Sequence, residues 1–462
     1  MPKPPNLLFV FPDQFRQQSL GFMNADPVVT PNLDRLASEG LVFTRAVSNY
    51  PVCSPYRAML FSGQYPFRNG VTANCYKKTV PLGIELPADT HCLSDVLADS
   101  GYATGYIGKW HLDLPRKRYM AYTGAKPGQN PGLEWDSFTP PERRHGFEFW
   151  YSYGCCNEHL APHYWVNDAP LEARIDVNEW SVKHETDVAI RYINNESGQR
   201  DPEKPFALFV AFNPPHTPFD RVPPQYLEPY RDRSPEELLN RPNVTAEGQG
   251  RRGFEHVKNY FAAVTGIDEN IGRLMDALEA RGLRENTIVV FTADHGEMLA
   301  SHGLMGKNVA YDESLLVPFI VRWPGVTPAG ATDDLLLGAP DAMPSLLGLM
   351  GLPEAIPDEV EGRDYSPAFR GDALPERPTS AFYLNVNPEL DTPEHRGLRT
   401  HKETFVVERD VDGAMTERLF DNEEDPYQMK DVAVERPERI EELRCELNRW
   451  LERTGDSWVD DR

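Results

Sequence analysis

The sequence predicts an α/β protein that has a large mixed, mostly parallel sheet between helices and a smaller C-terminal α+β subdomain. Short apolar runs of the buried-strand type alternate with helical patterns through most of the chain, which is typical of parallel-rich sheets covered on both faces. Polar residues directly follow several of these runs, and the pattern changes near residue 370. We therefore expect a main domain over residues 1–370 and a C-terminal subdomain over residues 371–462.

Five apolar runs predict the strands of the large sheet. Each is short and bounded by polar or turn-forming residues, as buried strands are. In chain order they are Leu7–Phe11, Ala103–Ile107, Phe206–Phe212, Thr287–Thr292 and Pro318–Arg322.

Three segments between these runs have the apolar spacing of helices. Thr30–Gly40 begins with a capping threonine and ends in glycine, and Leu93–Ser100 precedes a predicted strand. Tyr260–Arg281 is the longest of the three and ends just before Gly282. Residues 112–180, by contrast, read as a long loop-rich insertion, dense in aromatic and basic residues.

The C-terminal part of the chain has shorter and more polar elements. Thr404–Glu408 and Leu419–Asp421 are strand candidates, and a charged amphipathic helix follows at Pro437–Arg453. This order predicts a small antiparallel sheet with a terminal helix.

Composition excludes several classes of protein. The net charge of -24 disfavours binding to nucleic acids and to membrane surfaces. The first apolar run, Leu7–Phe11, is too short for a signal peptide, and no run approaches the roughly 20 residues of a membrane span. We expect a cytoplasmic protein, or a periplasmic or secreted one if a signal peptide was trimmed. The six cysteines have no regular spacing, so free thiols are expected.

A cysteine motif carries the strongest chemical signal. Cys53, Pro55 and Arg57 form a Cys-x-Pro-x-Arg core, and the stretch Ser62–Pro66 (SGQYP) follows it. Taken alone, the core would be read as a half-buried structural cysteine before a helix. Together with the downstream stretch, it resembles the signature of the type I sulfatases of the alkaline phosphatase superfamily. Tyr56 departs from the small residue that this family usually has there.

The resemblance implies an alkaline-phosphatase-like fold and a modified nucleophile. A formylglycine-generating maturation enzyme would oxidise Cys53 to an aldehyde, whose hydrate carries two hydroxyls on one carbon. One hydroxyl attacks sulfur and expels the alcohol, and deprotonation of the other releases sulfate. Placement at a helix N-terminus would direct backbone donors and a positive dipole toward the anion.

Two pairs of polar residues directly follow predicted strands. Asp13 and Gln14 come after the first strand, and Asp294 and His295 come after Thr287–Thr292. By themselves these pairs would be read as a turn and a helix cap. The resemblance implies that these four residues and residue 53 bind a divalent metal, with Ca²⁺ favoured and Mg²⁺ as the alternative. Gln14 stands where many family members have a second aspartate.

The resemblance also assigns catalytic roles to charged residues. Arg57 would stabilise the ionised nucleophile, and His111 would be the base that deprotonates the sulfate adduct. Lys109 would bridge the adduct and the sulfate oxygens, whereas His216 and Lys307 would contact sulfate and the leaving alcohol. Without the resemblance, each lysine would be read as a solvated surface charge and His216 as a loop residue between prolines.

The substrate alcohol is expected to belong to a sulfated small molecule, with a saccharide favoured. Aromatic residues of the insertion, among them Trp135, could stack on sugar rings, and basic residues could pair with carboxylates or further sulfates. The alternative is that these residues only pack the insertion against the main domain. His302 has no assigned role. The candidate substrate contacts are Arg143, Arg144, His145, His159, His163, His395 and Arg396.

The sequence thus predicts a sulfuric ester hydrolase that releases inorganic sulfate from a sulfate monoester. Two alternatives remain open. One is a phosphonate monoester or phosphodiester hydrolase on the same scaffold, which usually alters the residues equivalent to Lys109 and His111. The other is a non-catalytic glycan-binding relative, which predicts loss of a key ligand or an unmodified Cys53.

Overall fold

The structure is a computed structural model that describes residues 3–115, 136–388 and 391–458. Trp135 and part of the predicted insertion lie outside the described residues. Within the described ranges, no helix combines the length and the apolar character needed to cross a membrane.

The described part of the main domain contains a ten-stranded sheet in the order β10-β2-β9-β8-β1-β7-β3-β4-β5-β6. Its strands are β1 Asn6–Val10, β2 Leu41–Val47, β3 Ala103–Lys109, β4 Phe149–Tyr153, β5 His163–Val166, β6 Ile175–Asp176, β7 Phe206–Ala211, β8 Thr287–Thr292, β9 Phe319–Arg322 and β10 Ala331–Gly338.

The centre of the sheet is parallel. Strand β1 pairs with β7 and β8, and β3 pairs with β7 and β4, all in parallel. Strand β9 is antiparallel to its neighbours β8 and β2. Every residue of β1, β7 and β8 is buried, as continuous apolar runs require. The predicted mixed, mostly parallel sheet is therefore confirmed.

Helices cover both faces of this sheet. One of them, α2, packs on the sheet through aromatic rings. Phe61 of α2 contacts Phe209 of β7, with ring centroids 5.4 Å apart. All residues of α2 are buried. The helices are α1 Pro31–Glu39, α2 Cys53–Ser62, α3 Pro66–Asn69, α4 Leu93–Asp99, α5 Ser181–Asn194, α6 Pro235–Leu238, α7 Gly250–Ala280, α8 Asp312–Leu315, α9 Ala342–Leu349, α10 Ser366–Phe369 and α11 Pro437–Thr454.

The structure corrects two sequence expectations. Helix α7 begins at Gly250, whereas the predicted helix began at Tyr260. Its first turns are polar except for Phe254 and the buried Val257, so their apolar stripe is too narrow to recognise. In the segment read as loop-rich, β4 is a buried strand that pairs in parallel with β3.

A separate antiparallel sheet forms the C-terminal part, in the order β11-β12-β13-β14. Helix α11 packs on one face of it through buried apolar residues such as Leu443 and Leu447. On that face, Glu417 of β14 pairs with Arg444 of α11 at 2.9 Å. The strands are β11 Ser380–Asn385, β12 Glu394–Thr400, β13 Glu403–Arg409 and β14 Met415–Asp421.

Candidate active site

Four neighbouring parallel strands end at one edge of the large sheet, and each delivers a polar side chain there. Asp294 follows β8, Asp13 follows β1, His216 follows β7, and Lys109 is the last residue of β3. The carboxyl ends of parallel strands are where open α/β sheets place their ligands. The strand order thus brings together residues that are up to 281 positions apart (Asp13 to Asp294).

Cys53 occupies the first position of helix α2 and is buried beside these strand ends. Its Sγ lies 3.6 Å from Asp13 Oδ1 and 3.4 Å from His295 Nε2. Asn74 Oδ1 accepts a hydrogen bond from the backbone N–H of Ser54 at 2.9 Å. The positive end of the α2 dipole therefore faces the reacting group, as the sequence predicted for an anion site.

Three cations surround Cys53. Lys109 Nζ lies 3.7 Å and Lys307 Nζ 3.6 Å from Cys53 Sγ. Lys109 also pairs with Asp13 at 2.6 Å, and Arg57 pairs with Asp294 at 3.1 Å and with Asp13 at 3.3 Å. Lys307 instead donates to the amide oxygen of Gln14 at 3.0 Å. Because Lys307 contacts a neutral amide oxygen there, its charge is available to an anionic ligand.

The donor atoms near Cys53 fit a metal ion. One ligand atom from each of Asp13, Cys53, Asp294 and His295 lies within 4.8 Å of the others, and all four residues are buried. His295 Nδ1 donates to the carbonyl of its neighbour Gly296 at 2.9 Å, so Nε2 is the ring atom that faces the carboxylates. This tautomer is the one that a metal-binding imidazole needs. Carboxylate oxygens favour a hard divalent cation.

The charges in this cluster have the signs expected for a cation site. Burial acts to lower the pKa of His295, but the negative charge of Asp294 outweighs it and raises the pKa to about 9. A cation that binds Nε2 must therefore displace a proton. Burial and Asp13 act to raise the pKa of the Cys53 thiol, yet the positive charges of Lys109 and Lys307 bring it below its ordinary value.

Gln14 is held by a residue that the sequence analysis missed. Gln14 Nε2 donates to the fully buried carboxylate of Glu297, which leaves Oε1 pointing toward Lys307. Glu297 also accepts from the backbone N–H groups of Leu299 at 2.9 Å and Gly306 at 2.6 Å. Glu297 thereby ties the amide of Gln14 to the loop that carries Lys307. Its position three residues after Asp294 was the available signal.

Two histidines flank the cluster, the buried His111 and the half-buried His216. Burial, and then the charges of Lys109 and Arg57, hold the pKa of His111 well below its ordinary value. Burial and Lys307 lower the pKa of His216 in the same way. Both imidazoles are therefore neutral near pH 7 and can accept a proton. His216 Nδ1 donates to the carbonyl of Thr217 at 2.7 Å, so Nε2 is the atom available to a ligand.

Two residues from the segment 149–160 support the site from the side of β4. His159 Nε2 donates to the backbone carbonyl of His216 at 2.8 Å, and the His159 side chain is buried. Cys155 is a buried thiol next to Lys109, and burial raises its pKa to about 12. His159 was predicted as a substrate contact and lies next to the catalytic histidine loop. Cys155 had no predicted role.

Most other predicted substrate contacts have partners inside the protein, and their contact with substrate stays a prediction. Arg144 donates to the carbonyl of Asn167 at 2.6 Å and lies over the buried ring of Trp150. His145 Nδ1 contacts the carbonyl of Thr90 at 3.0 Å. The remaining two form ion pairs, His163 with Asp136 at 2.7 Å and Arg143 with Asp113 and Glu85.

The two candidates on strand β12 have different environments. Arg396 is buried, forms an ion pair with Asp456 and lies over the ring of Trp458, so it holds the C-terminal part together. His395 is half-buried and lies 3.0 Å from Glu408, at a surface pocket that His302 also lines. Adjacent side chains on a strand point to opposite faces, which explains the difference.

The fold and the site together define a class of protein: a hydrolase for an anionic ester, with a buried nucleophile at a helix N-terminus, hard metal ligands and surrounding cations. Residues 5–352 match the family described as sulfatase, and residues 300–456 match the C-terminal region of N-sulphoglucosamine sulphohydrolase. The chain belongs to the sulfatase family.

Similar proteins cover the whole chain. It is 40% identical to an endo-4-O-sulfatase from Bacteroides thetaiotaomicron, over 99% of this chain and 94% of that protein. It is 35% identical to an ulvan-active sulfatase from Formosa agariphila, over 99% of this chain and 83% of that protein. A solved structure from work on glycosaminoglycan metabolism by Bacteroides thetaiotaomicron superposes with a TM-score of 0.90 at 39% identity, covering 99% and 98% of the two chains.

Proposed function

We propose that this sulfatase hydrolyses a sulfate monoester of a saccharide, with formylglycine at position 53 and a bound Ca²⁺ ion. The observation that carries the proposal is the convergence on Cys53 of four candidate metal ligand atoms, its own Sγ included, within 4.8 Å and of two lysine ammonium groups within 3.7 Å. The relatives named for sulfated glycans support the choice of a saccharide.

Asp13, Asp294, His295, the amide oxygen of Gln14 and residue 53 would hold the metal. Bound there, the ion would polarise a sulfate oxygen and favour the ionised form of the nucleophile. Oxygen atoms make up most of this ligand set, which favours Ca²⁺ over transition metals. Arg57, paired with both carboxylates, fixes their orientation, and its charge opposes the rise that burial and Asp13 produce in the pKa of Asp294.

Residue 53, oxidised to formylglycine and hydrated, supplies one hydroxyl for attack on sulfur and a second for the release of sulfate. Lys109 and Lys307 bind the sulfate oxygens. Asp13 holds the ammonium group of Lys109 in place, and the amide oxygen of Gln14 holds that of Lys307. The helix N-terminus of α2 adds a third positive contribution. Together these groups stabilise the negative charge that grows on the oxygens as the sulfur–oxygen bond breaks.

Protons move at three side chains. Lys307 Nζ can donate a proton to the leaving alcohol oxygen, and His216 presents Nε2 to the same region. A bound sulfate would raise the pKa of His216 by its negative charge, so that Nε2 can also carry a proton. His111, neutral in the buried site, accepts a proton from the second hydroxyl and so triggers release of sulfate.

Sulfate is favoured over phosphonate because Lys109 and His111, the two residues that the phosphonate branch usually alters, are both present. Lys109 and His111 are buried at the end of β3, and Lys109 lies within 3.7 Å of Cys53 Sγ. A comparison of the rates on an aryl sulfate and on the matching aryl phosphonate tests this choice. A faster rate on the phosphonate would contradict it.

A sulfate-release screen over defined sulfated saccharides tests the saccharide assignment. We expect the wild-type enzyme to release sulfate from at least one saccharide at a rate equal to or above that on an aryl sulfate. Cys53→Ala is the inactive control, and Cys75→Ala, which changes a buried thiol outside the site, is the matched one. A much faster rate on aryl sulfates than on every saccharide would contradict the assignment of a saccharide as the substrate. No sulfate release from any ester would instead favour a non-catalytic glycan-binding protein.

A further inference from the structure

A second pocket lies beside the loop that carries Lys307. It is about 290 Å³ in volume, and we call it the rim pocket. It lies between residues 304–311 and one face of the small sheet. The residues that define it here are Val309, Tyr311, His395, Glu408, Arg418 and Phe420.

Three adjacent strands of the small sheet point polar side chains into this pocket. His395 of β12 pairs in register with Glu408 of β13, and Arg418 lies two residues beyond the partner of Glu408 on β14. Residues in register, and those two positions away, share a face of a sheet. His395 Nε2 lies 3.0 Å and Arg418 Nη2 lies 3.7 Å from Glu408 Oε2. The side chains form one connected polar row.

This row is linked to the catalytic loop. The hydroxyl of Tyr383 lies 3.2 Å from His395 Nδ1 and 3.5 Å from the carbonyl oxygen of Asn308. Asn308 directly follows Lys307, whose Nζ is 3.6 Å from Cys53 Sγ. Val309, in the wall of the rim pocket, is two residues from Lys307, a span of at most about 7 Å along the chain. The rim pocket therefore adjoins the loop that presents Lys307 to Cys53.

The pocket has an apolar wall and a charge-balanced polar side. Val309, Tyr311 and Phe420 form the wall, and the ring of His302 stacks on that of Tyr311 with centroids 3.8 Å apart. The polar side has one carboxylate, Glu408, and one guanidinium, Arg418. Both are partly exposed, with 29% and 43% of their side-chain surface accessible. A further anionic group would meet Glu408, whereas hydroxyl groups can donate to it and accept from Arg418.

We propose that the rim pocket binds an uncharged sugar residue that adjoins the sulfated one, with Glu408 and Arg418 hydrogen-bonded to its hydroxyls and the apolar wall packed on its ring. This inference rests on the proposed saccharide sulfatase function and adds a subsite to it. The enzyme then selects sulfate groups within oligosaccharides rather than on free monosaccharides. His302, which the sequence left without a role, supports the wall of this subsite.

Kinetics on two substrates of different length test the proposal. The substrates are 4-nitrophenyl sulfate, which reaches only the catalytic pocket, and a tetrasaccharide that carries a single sulfate, has an uncharged sugar next to the sulfated one and is hydrolysed by the wild type in the sulfate-release screen. The variants are Glu408→Gln and Arg418→Gln. The matched control is Glu417→Gln, because Glu417 has a similar exposure and also pairs with an arginine, but on the opposite face of β14.

We expect both variants to lose at least about 10-fold in kcat/KM on the tetrasaccharide, mainly through KM, since each loses a hydrogen bond to a charged group. Turnover of 4-nitrophenyl sulfate should change by less than about 2-fold, and Glu417→Gln should behave as wild type on both. Equal losses on the two substrates, or no loss on the tetrasaccharide, would overturn the subsite. Failure of the wild type on 4-nitrophenyl sulfate would instead count against the proposed function.

Calorimetric binding of the desulfated tetrasaccharide gives a readout that does not depend on turnover. The wild type and Glu417→Gln should bind it with similar affinity, and Glu408→Gln should bind it at least about 10-fold more weakly. Absence of binding to the wild type, or equal binding by Glu408→Gln, would overturn the proposal even where the enzyme proves to be an active sulfatase.

Discussion

The catalytic pocket and the rim pocket differ in how far their charged side chains are exposed to solvent. In the catalytic pocket the side chains of Asp13, Arg57, Lys109 and Asp294 are fully buried. In the rim pocket Glu408 and Arg418 stay partly exposed and balance each other. Buried charges lose several kcal/mol of solvation each and need partners or ligands to recover it. The first pocket is thus built to stabilise a metal and a transition state, and the second to select a substrate at little cost to stability.

Replacement of His111, the proposed base, should have the largest effect on kcat. It would show that turnover depends on the catalytic pocket and not on the rim pocket. His111→Asn removes the proton acceptor that we assign to sulfate release, so kcat should fall by about 10²- to 10⁴-fold. Stopped-flow assays of an aryl sulfate should show about one equivalent of alcohol in a burst, followed by slow turnover. His395→Asn, which changes a histidine of the rim pocket, is the control and should keep the wild-type kcat on this substrate. An unchanged kcat in His111→Asn would remove the residue from the mechanism.

Binding of Ca²⁺ should stabilise the catalytic pocket and not the rim pocket. An ion present at 100 times its dissociation constant adds about 2.7 kcal/mol to the free energy of unfolding. Thermal unfolding with and without Ca²⁺ after chelation measures this directly. The stabilisation should disappear in Asp294→Asn and persist in Glu408→Gln. Equal stabilisation of both variants would mean that the ion binds elsewhere.

Glu297 offers a smaller test of the same pocket, because it acts through Gln14 and touches no predicted substrate atom. Residues that orient metal ligands usually change metal affinity by about 10- to 100-fold when they are altered. Glu297→Gln should weaken Ca²⁺ binding by that factor in a calorimetric titration. Glu313→Gln, another buried carboxylate that pairs with Arg241, serves as the control. A wild-type affinity in Glu297→Gln would leave the amide of Gln14 positioned by other contacts.

The smallest effect concerns a buried carboxyl behind the catalytic pocket. Glu185 of α5 accepts a hydrogen bond from Tyr164 at 2.9 Å, and burial raises its pKa to about 8. The folded protein thus holds a proton that the unfolded chain releases near its ordinary pKa, so Glu185 favours folding at low pH. That contribution is lost by roughly 1 kcal/mol per pH unit as the pH rises toward 8.

Thermal unfolding of Glu185→Gln at several pH values tests this sign. Relative to wild type, the variant should gain stability as the pH rises from about 6 to 8, because an amide has no proton to lose. Glu417→Gln should show no such trend. A variant that becomes relatively less stable over this range would contradict the assigned direction.

Local sequence patterns were sufficient for the central strands of the large sheet. The runs that became β1, β7 and β8 are apolar throughout, since both faces of the sheet are covered, and such runs are hard to misread. The segment that became β4 is aromatic and was read as loop. Strand β10 carries Asp333 and Asp334 at a register shift, where the apolar pattern is interrupted. These strands were missed because pairing partners, rather than local pattern, stabilise them.

The position of the candidate active site, at the carboxyl ends of the central strands, could also be predicted from the sequence. Asp13 and Asp294 follow predicted strands, which indicated one edge of the sheet, whereas Lys109 and the metal-binding role were indicated by the family resemblance. The environments of the candidate substrate contacts could not be predicted, because the sequence does not reveal which residue pairs with a basic side chain. Arg396 pairs with Asp456, sixty residues further along the chain, and only the folded structure shows that this charge is already satisfied.

Mass analysis of the peptide that contains residue 53, taken from enzyme of known specific activity, tests the nucleophile most directly. The fraction of chains that have lost the cysteine sulfur and carry an aldehyde should rise in proportion to sulfate release across preparations. Full activity in a preparation whose residue 53 is an intact thiol would contradict the proposed chemistry.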